Sequence, residues 1–329
     1  MGDVVAVSRI ASLLPSATEI VYALGLDDRL AAVTFECDEP ARARLDHRVV
    51  VTGADTSGWT PGEIDAYVRE RRAAGVDLYT LDEGALADVE PDLVLTQDLC
   101  RVCALPTDRV DEALAHLGCS ADVLTLDPHT LEDVLASVER VAAAAGVPGR
   151  GRDVVAGLRE RLAAVAAAAQ GRPRPRVAVV EWVDPLFTGG HWIPDQVAAA
   201  GGEPVGMHPG TPSGPSAWDA LRAERPDVVL VAPCGYGRPS RPRWWCGSCP
   251  TPRCGRSTAT PWWCDRVLGW STGSRRWPRC FTRISSARRF TCAACRSRSQ
   301  PARAMRMCRP VRWVRRVRPI SWVVGSIVK

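Results

Sequence analysis

At Gly237 the chain changes chemical character, and no single folding plan covers both sides of that point. Residues 1–237 hold 20 of the 42 Lys and Arg but 36 of the 37 Asp and Glu, a net charge of −16. Residues 238–329 hold the other 22 bases against one acid, Asp265, a net charge of +21. The overall +5 is therefore an average of two unlike parts. The same boundary divides the scarce residues, with eight of twelve Trp and eight of thirteen Cys in the last 92 positions. A run such as Arg241-Pro242-Arg243-Trp244-Trp245-Cys246 has neither the 3.6-residue nor the two-residue apolar rhythm that gives a helix or strand one buried face.

Three readings of that tail compete. Arg with interleaved Trp suits phosphate contacts and base stacking. Cys246 with Cys249 and Cys292 with Cys295 form two CxxC pairs, yet 42 residues separate them, where zinc ribbons leave about 15 to 20. A shifted reading frame in a GC-rich gene accounts for the composition better, because it piles up Arg, Pro, Trp, Cys and Ser. Reading each codon from its third base restores acids, valine runs and an amphipathic LVDGLEALAEVL segment, and Trp244-Trp245 and Trp262-Trp263 must then each yield Val. Residues 238–329 are accordingly expected to be a frameshifted tail without a packed fold, and no nucleic-acid partner is expected.

The other 237 residues exceed one typical domain of about 100 to 150 residues, so two lobes are within reach. Their five cysteines, Cys37, Cys100, Cys103, Cys119 and Cys234, are too few and scattered for a disulfide scaffold. No apolar run approaches the roughly 20 residues of a membrane span, so no membrane insertion is expected. Met1-Gly2-Asp3-Val4-Val5 lacks the basic and apolar regions of a secretory signal. A cytoplasmic protein is expected from the start as written, and an extracytoplasmic one if the start codon is mis-assigned.

The pattern alternates strands and helices, as in a parallel sheet. Strands are predicted at Val7–Leu14, Leu30–Phe35, Val76–Leu81, Pro91–Thr96 and Asp122–Leu126. A helix is expected after Pro15, capped by Ser16 with Glu19 at the capping-box spacing, and another near Asp108–Leu117. Thr130–Gln170 holds almost only helix formers, broken at Gly146-Val147-Pro148-Gly149, and predicts a long helical connector. From Arg176 the pattern restarts, with strands at Val177–Trp182 and Asp227–Ala232 and a helix at Pro194–Ala200. The resulting expectation is an α/β fold of two Rossmann-like lobes: 1–128, a connector 129–170, a truncated second lobe 171–237, and the tail.

Five stretches, in order, resemble the cobalamin-binding members of the helical-backbone substrate-binding proteins that serve ABC importers of vitamin B12, haem and iron-siderophores. They are SLLPSATEIVYALG at 12–25, TFECDEP at 34–40, EPDLVLTQDLCRVC at 90–103, EWVDPLFTGGHWIPDQVAAAGG at 181–202 and PDVVLVAPCGYG at 226–237. The resemblance implies two lobes joined by one long helix, with ligand held in the cleft between them and no catalysis. It also implies docking on an importer permease through one acid per lobe, near Glu83 and Asp219. Lacking a visible signal, the chain is expected to be a cytosolic corrinoid-binding relative rather than an importer component.

Ligands in such sheets sit outside the carboxyl ends of the strands. The candidate wall is therefore Pro15 and Ser16, Glu36 to Asp38, Gln97 to Cys100, Trp182 to Phe187, and Cys234 to Tyr236, with Trp59 and Trp192 nearby. A corrin is a broad apolar ring edged with amides and calls for flat aromatic faces with a few hydrogen-bonding groups. Trp59, Trp182, Phe187, Trp192 and Tyr236 supply faces; Asp38 and Gln97 suit amide or phosphate-linked groups. No cofactor is required, and cobalamin is the expected ligand. The competing reading takes Cys37, Cys100, Cys103 and Cys234, with the Glu36 and Asp38 carboxylates, as a thiol-metal site for zinc or another thiophilic metal, and leaves haem or an iron-siderophore as other ligands. A third makes Cys100 and Cys103 a redox dithiol. Cys119 is read as packing. His191 is placed near the cleft, and His47, His116, His129 and His208 are read as histidines without partners.

Overall fold

Short apolar runs bounded by turn residues form the strands, and the most buried of them sits at the centre of the amino-terminal lobe. The computed structural model describes residues 7–98, 107–117, 120–233 and 312–313. Strand β1 (Ile10–Ser12) is fully buried and pairs in parallel with β2 (Leu30–Thr34) on one side and β5 (Leu93–Thr96) on the other. β3 (Arg48–Gly53) continues beside β2, β6 (Asp122–Thr125) beside β5, and β4 (Tyr79–Leu81) closes the β3 edge antiparallel. The sheet order is β4-β3-β2-β1-β5-β6. Strands buried on both faces need apolar cover on each. One face packs Ile10, Ile20, Val33 and Leu95 with connector residues such as Val138, and the other packs Ala11, Val50, Val94 and Leu114.

Five helices alternate with these strands: α1 (Pro15–Ala23), α2 (Ala43–Asp46), α3 (Pro61–Ala73), α4 (Glu83–Asp88) and α5 (Thr107–Leu117). The expected Ser16 cap is corrected. Pro15 occupies the first turn of α1, where its missing N–H costs nothing, so Leu14 is the N-cap and Ser16 lies inside the helix. β3 and α3 were not expected. α3 buries no residue, so it shows no apolar period, but Thr60 and Glu63 form a reciprocal capping box ahead of it.

The connector is two helices, α6 (Leu131–Ala144) and α7 (Pro148–Ala169), broken at Gly146 as expected. The 22 residues of α7 reach about 33 Å at 1.5 Å per residue. They pack against each other closely at Gly151, where a Cβ would lie 2.6 Å from that of Ala142. Arg150 of α7 donates to the carbonyls of Leu24 and Gly25 at 3.1 and 2.9 Å, satisfying orphan acceptors at the end of α1.

The second lobe is built on β7 (Arg176–Val183), which pairs parallel with β11 (Val228–Val231) and antiparallel with β8 (Leu186–Thr188). β9 (Glu203–Pro204) also pairs with β7, and β10 (Gly214–Pro215) lies beyond β8. Helices α8 (Ile193–Ala199) and α9 (Trp218–Ala223) cover it. Beyond β11 lies β12 (Arg312–Trp313), the sole described part of the tail.

Candidate ligand cleft

Ser12, Thr34 and Thr96 end three adjacent parallel strands, and all three are buried. They begin a polar layer beneath the strand ends. Thr18 of α1 donates to Ser12 Oγ at 2.8 Å, and Ser12 Oγ donates to the Leu14 carbonyl at 3.0 Å. Cys37 Sγ lies 3.1 Å from Thr18 Oγ1 and 3.4 Å from Thr34 Oγ1. Cys37 is fully buried among core residues, and burial pushes its thiol pKa up, opposed by the hydrogen bonds with Thr18 and Thr34. Such a thiol is a packing group with little thiolate character. Among the described residues no three His, Cys, Asp or Glu side chains converge as a metal site. Cys100, Cys103, Cys119 and Cys234 lie outside the described residues, as does Tyr236.

This layer fixes the turn that presents Glu36. Its backbone N–H donates to Thr34 Oγ1 at 3.1 Å, and the Tyr79 hydroxyl reaches Glu36 Oε2 at a long 3.5 Å. Burial pushes the Glu36 carboxyl up to about 7; the Tyr79 hydrogen bond opposes this and the Asp38 charge adds to it. Tyr79 in turn packs on Phe35, with ring centroids 6.1 Å apart. Tyr79 lies inside the expected Val76–Leu81 strand but was not among the candidate site residues, because its approach to Glu36 joins segments 43 residues apart. Ser16 and Gln97 are half-buried at the neighbouring strand ends, while Asp98 is exposed and locked into the loops. The Asp98 N–H donates to Asp127 Oδ1 at 2.7 Å, and Asp98 Oδ1 accepts from the Thr107 N–H at 2.8 Å.

In the second lobe, the β7–β8 hairpin sets Trp182 directly opposite Phe187, so the pair shares one face. Trp182 Nε1 donates to the Asp184 carbonyl at 3.0 Å. The hairpin tip touches the first lobe: a Cβ on Gly62 would lie 3.2 Å from Asp184 Oδ2. Three residues before Gly62, Trp59 stands edge-on to Tyr67, centroids 5.5 Å apart, and is 37% exposed. The lips thus bring the 59–62 loop to the Trp182–Phe187 hairpin. Asp184 was inside a quoted stretch but its cross-lobe role carries no local signal.

A second cross-lobe contact lies at the connector. His129, after β6, has its ring centroid 5.9 Å from that of His191, and Asp195 of α8 accepts from the Leu131 N–H at 3.0 Å. Burial lowers the His191 pKa, and His129 adds to the effect. Trp192 packs against core residues of both lobes, so its ring serves the seam between them. His191 Nε2 and Trp192 Nε1 are buried without a partner. His47 was read as unpartnered, but its Nε2 is 3.0 Å from the Tyr22 hydroxyl. Glu181 accepts from the Ser213 hydroxyl. Glu83 and Asp219 are exposed in the first turns of α4 and α9, one on each lobe, and Arg222 pairs with Asp219 at 2.8 Å.

Two sheets with a helical connector, and lobes that meet at Gly62–Asp184 and His129–His191, make up the two-lobed α/β architecture of a solute-binding protein. The chain belongs to the periplasmic binding protein family, whose profile matches residues 10–242. The vitamin B12-binding protein of Vibrio parahaemolyticus serotype O3:K6 is 26% identical over 228 residues, covering 69% of this chain and 71% of that protein. Among solved structures, the periplasmic vitamin B12 binding protein BtuF of Vibrio cholerae is similar, with TM-score 0.50 and 21% identity over 69% of this chain and 77% of that one. The apo periplasmic heme-binding protein RhuT of Roseiflexus sp. RS-1 has the same TM-score and identity, covering 69% and 76%. The periplasmic description of the family and of these two structures overturns the expectation of a cytoplasmic protein.

Proposed function

We propose that the chain binds a cobalamin-like corrinoid between its lobes, without catalysis. The observation that carries this reading is the aromatic lip: Trp182 and Phe187 share a hairpin face whose tip meets the Trp59 loop of the other lobe. Flat apolar faces on both lobes suit a broad ring. The vitamin B12-binding relative supports the choice of ligand; the heme-binding neighbour shares only the fold. Half-buried Ser16, Glu36, Asp38 and Gln97 would then meet the ring's edge.

Glu83 and Asp219, exposed on α4 and α9, are proposed to dock the two lobes on an importer permease. No helix among the described residues is long and apolar enough to cross a membrane. Residues 238–329 are proposed to be read out of frame, which the end of the family match at residue 242 supports. Titrating cyanocobalamin into the full-length chain, and into a version with its frame repaired after residue 237, tests the ligand. A saturable change in the visible spectrum or melting temperature is expected. No change in either protein at saturating ligand would sink the reading.

A further inference from the structure

The carboxyl end of β2 holds a side chain whose chemistry separates two kinds of macrocycle. β2 lies next to central β1, so its following turn stands near the middle of the first lobe's strand ends. Glu36 is held there half-buried, with its backbone fixed by Thr34 and its carboxyl reached by Tyr79. Among the described residues, the charged and titratable groups around it are Cys37 and Asp38 on the same turn and Tyr79 on β4. Arg44 donates to the Phe35 carbonyl of this turn at 2.7 Å. Among the described residues, no cation is one of the groups that set the Glu36 titration.

A carboxyl group in this setting can pair with a primary amide in either protonation state. Ionised, it accepts from the amide N–H; protonated, it donates to the amide carbonyl. A carboxylate partner is different. It pairs only while Glu36 holds a proton, and otherwise meets a like charge in a partly desolvated place. Corrin edges carry primary amides, whereas haem carries two carboxylates.

We infer that Glu36 is a specificity-determining residue that selects an amide-edged macrocycle over a carboxylate-edged one. This rests on the corrinoid reading above and deepens it.

The test uses the full-length chain and two probes: a corrin with intact peripheral amides, and the same corrin with those amides hydrolysed to carboxylates. At about pH 8, where Glu36 is mostly ionised, the chain should prefer the intact form by about tenfold or more, equivalent to ~1.4 kcal/mol. Glu36→Gln should cut that preference by roughly tenfold, mainly by admitting the hydrolysed form. A measurement without any variant stands beside it: lowering the wild type to about pH 5.5 should narrow the same ratio as Glu36 gains its proton. An unchanged ratio in Glu36→Gln, or a wild-type ratio flat with pH, overturns the specificity role while leaving corrinoid binding intact. Failure of the wild type to bind either corrin overturns both.

Discussion

The two lobes follow one plan, a mainly parallel sheet between helices, and differ in how completely that sheet is covered. In the first lobe β1 has two further strands on the β5 side and three on the β2 side, and Ile10, Ala11, Val33, Val50, Val94 and Leu95 are all 0% exposed. In the second, among the described residues, β11 has the two residues of β12 outside it; Ala178 and Val180 are 0% exposed, but Val177, Val179, Ile193, Val197 and Val229 keep 5–8%. Equal strand chemistry thus gives unequal cores. The difference teaches that strand composition alone does not close a core; the elements that flank the last strand do. Under the proposed out-of-frame reading of residues 238–329, those elements are the ones the sequence loses where carboxylates and apolar periodicity end together.

Matched truncations break or sharpen this comparison most strongly. Ile20→Ala, at 2% exposure inside the first core, should cost near the upper end of the ~2–5 kcal/mol typical of such changes. Ile193→Ala, at 6% exposure in the second, should cost near the lower end. Chemical denaturation followed by circular dichroism measures both, and equal losses would mean that the lobes are equally well packed. Next in size is Glu36. Its folded pKa of about 7 lies above the ordinary 4.5, so the folded state holds a proton that the unfolded state has lost. Stability should therefore fall as pH rises from about 4.5 to 7, by on the order of 3 kcal/mol, and Glu36→Gln should flatten that slope. Removing the hydroxyl caps, Thr60→Ala in the first lobe and Thr130→Ala at the connector, should each lower stability by about 1 kcal/mol in the same assay. Least of all, Glu83→Ala and Asp219→Ala should leave stability within roughly 0.5 kcal/mol, because both sites are exposed. Both should still weaken capture by a permease in a pull-down.

Much of this layout was legible because burial on two faces demands continuous apolar runs. Leu93–Thr96, Asp122–Thr125, Arg176–Val183 and Val228–Val231 all fall within two residues of the expected strands. The connector was legible for the converse reason, since α6 and α7 draw on residues with little preference for anything but helix. What escaped was set by neighbours rather than by period. α3 buries nothing and could have been found only from its Thr60 cap and Pro61. β8 is a three-residue antiparallel edge across a tight turn from β7, whereas β4, also three residues long, falls inside the expected Val76–Leu81 strand. At the candidate cleft, the positions of Glu36, Trp182 and Phe187 near strand ends were legible. The Tyr79 partner of Glu36, the reach of Asp184 to Gly62 and the shared seam role of Trp192 depend on pairings between segments far apart in the chain.

Hydrogen exchange of the full-length chain, with and without saturating cyanocobalamin, tests the central claim of a ligand held between two lobes. The account predicts slowed exchange in both lobes, at the strand ends around residues 13–16 and 34–38 in the first and 182–187 in the second. Slowing confined to one lobe, or none at saturation, would contradict it.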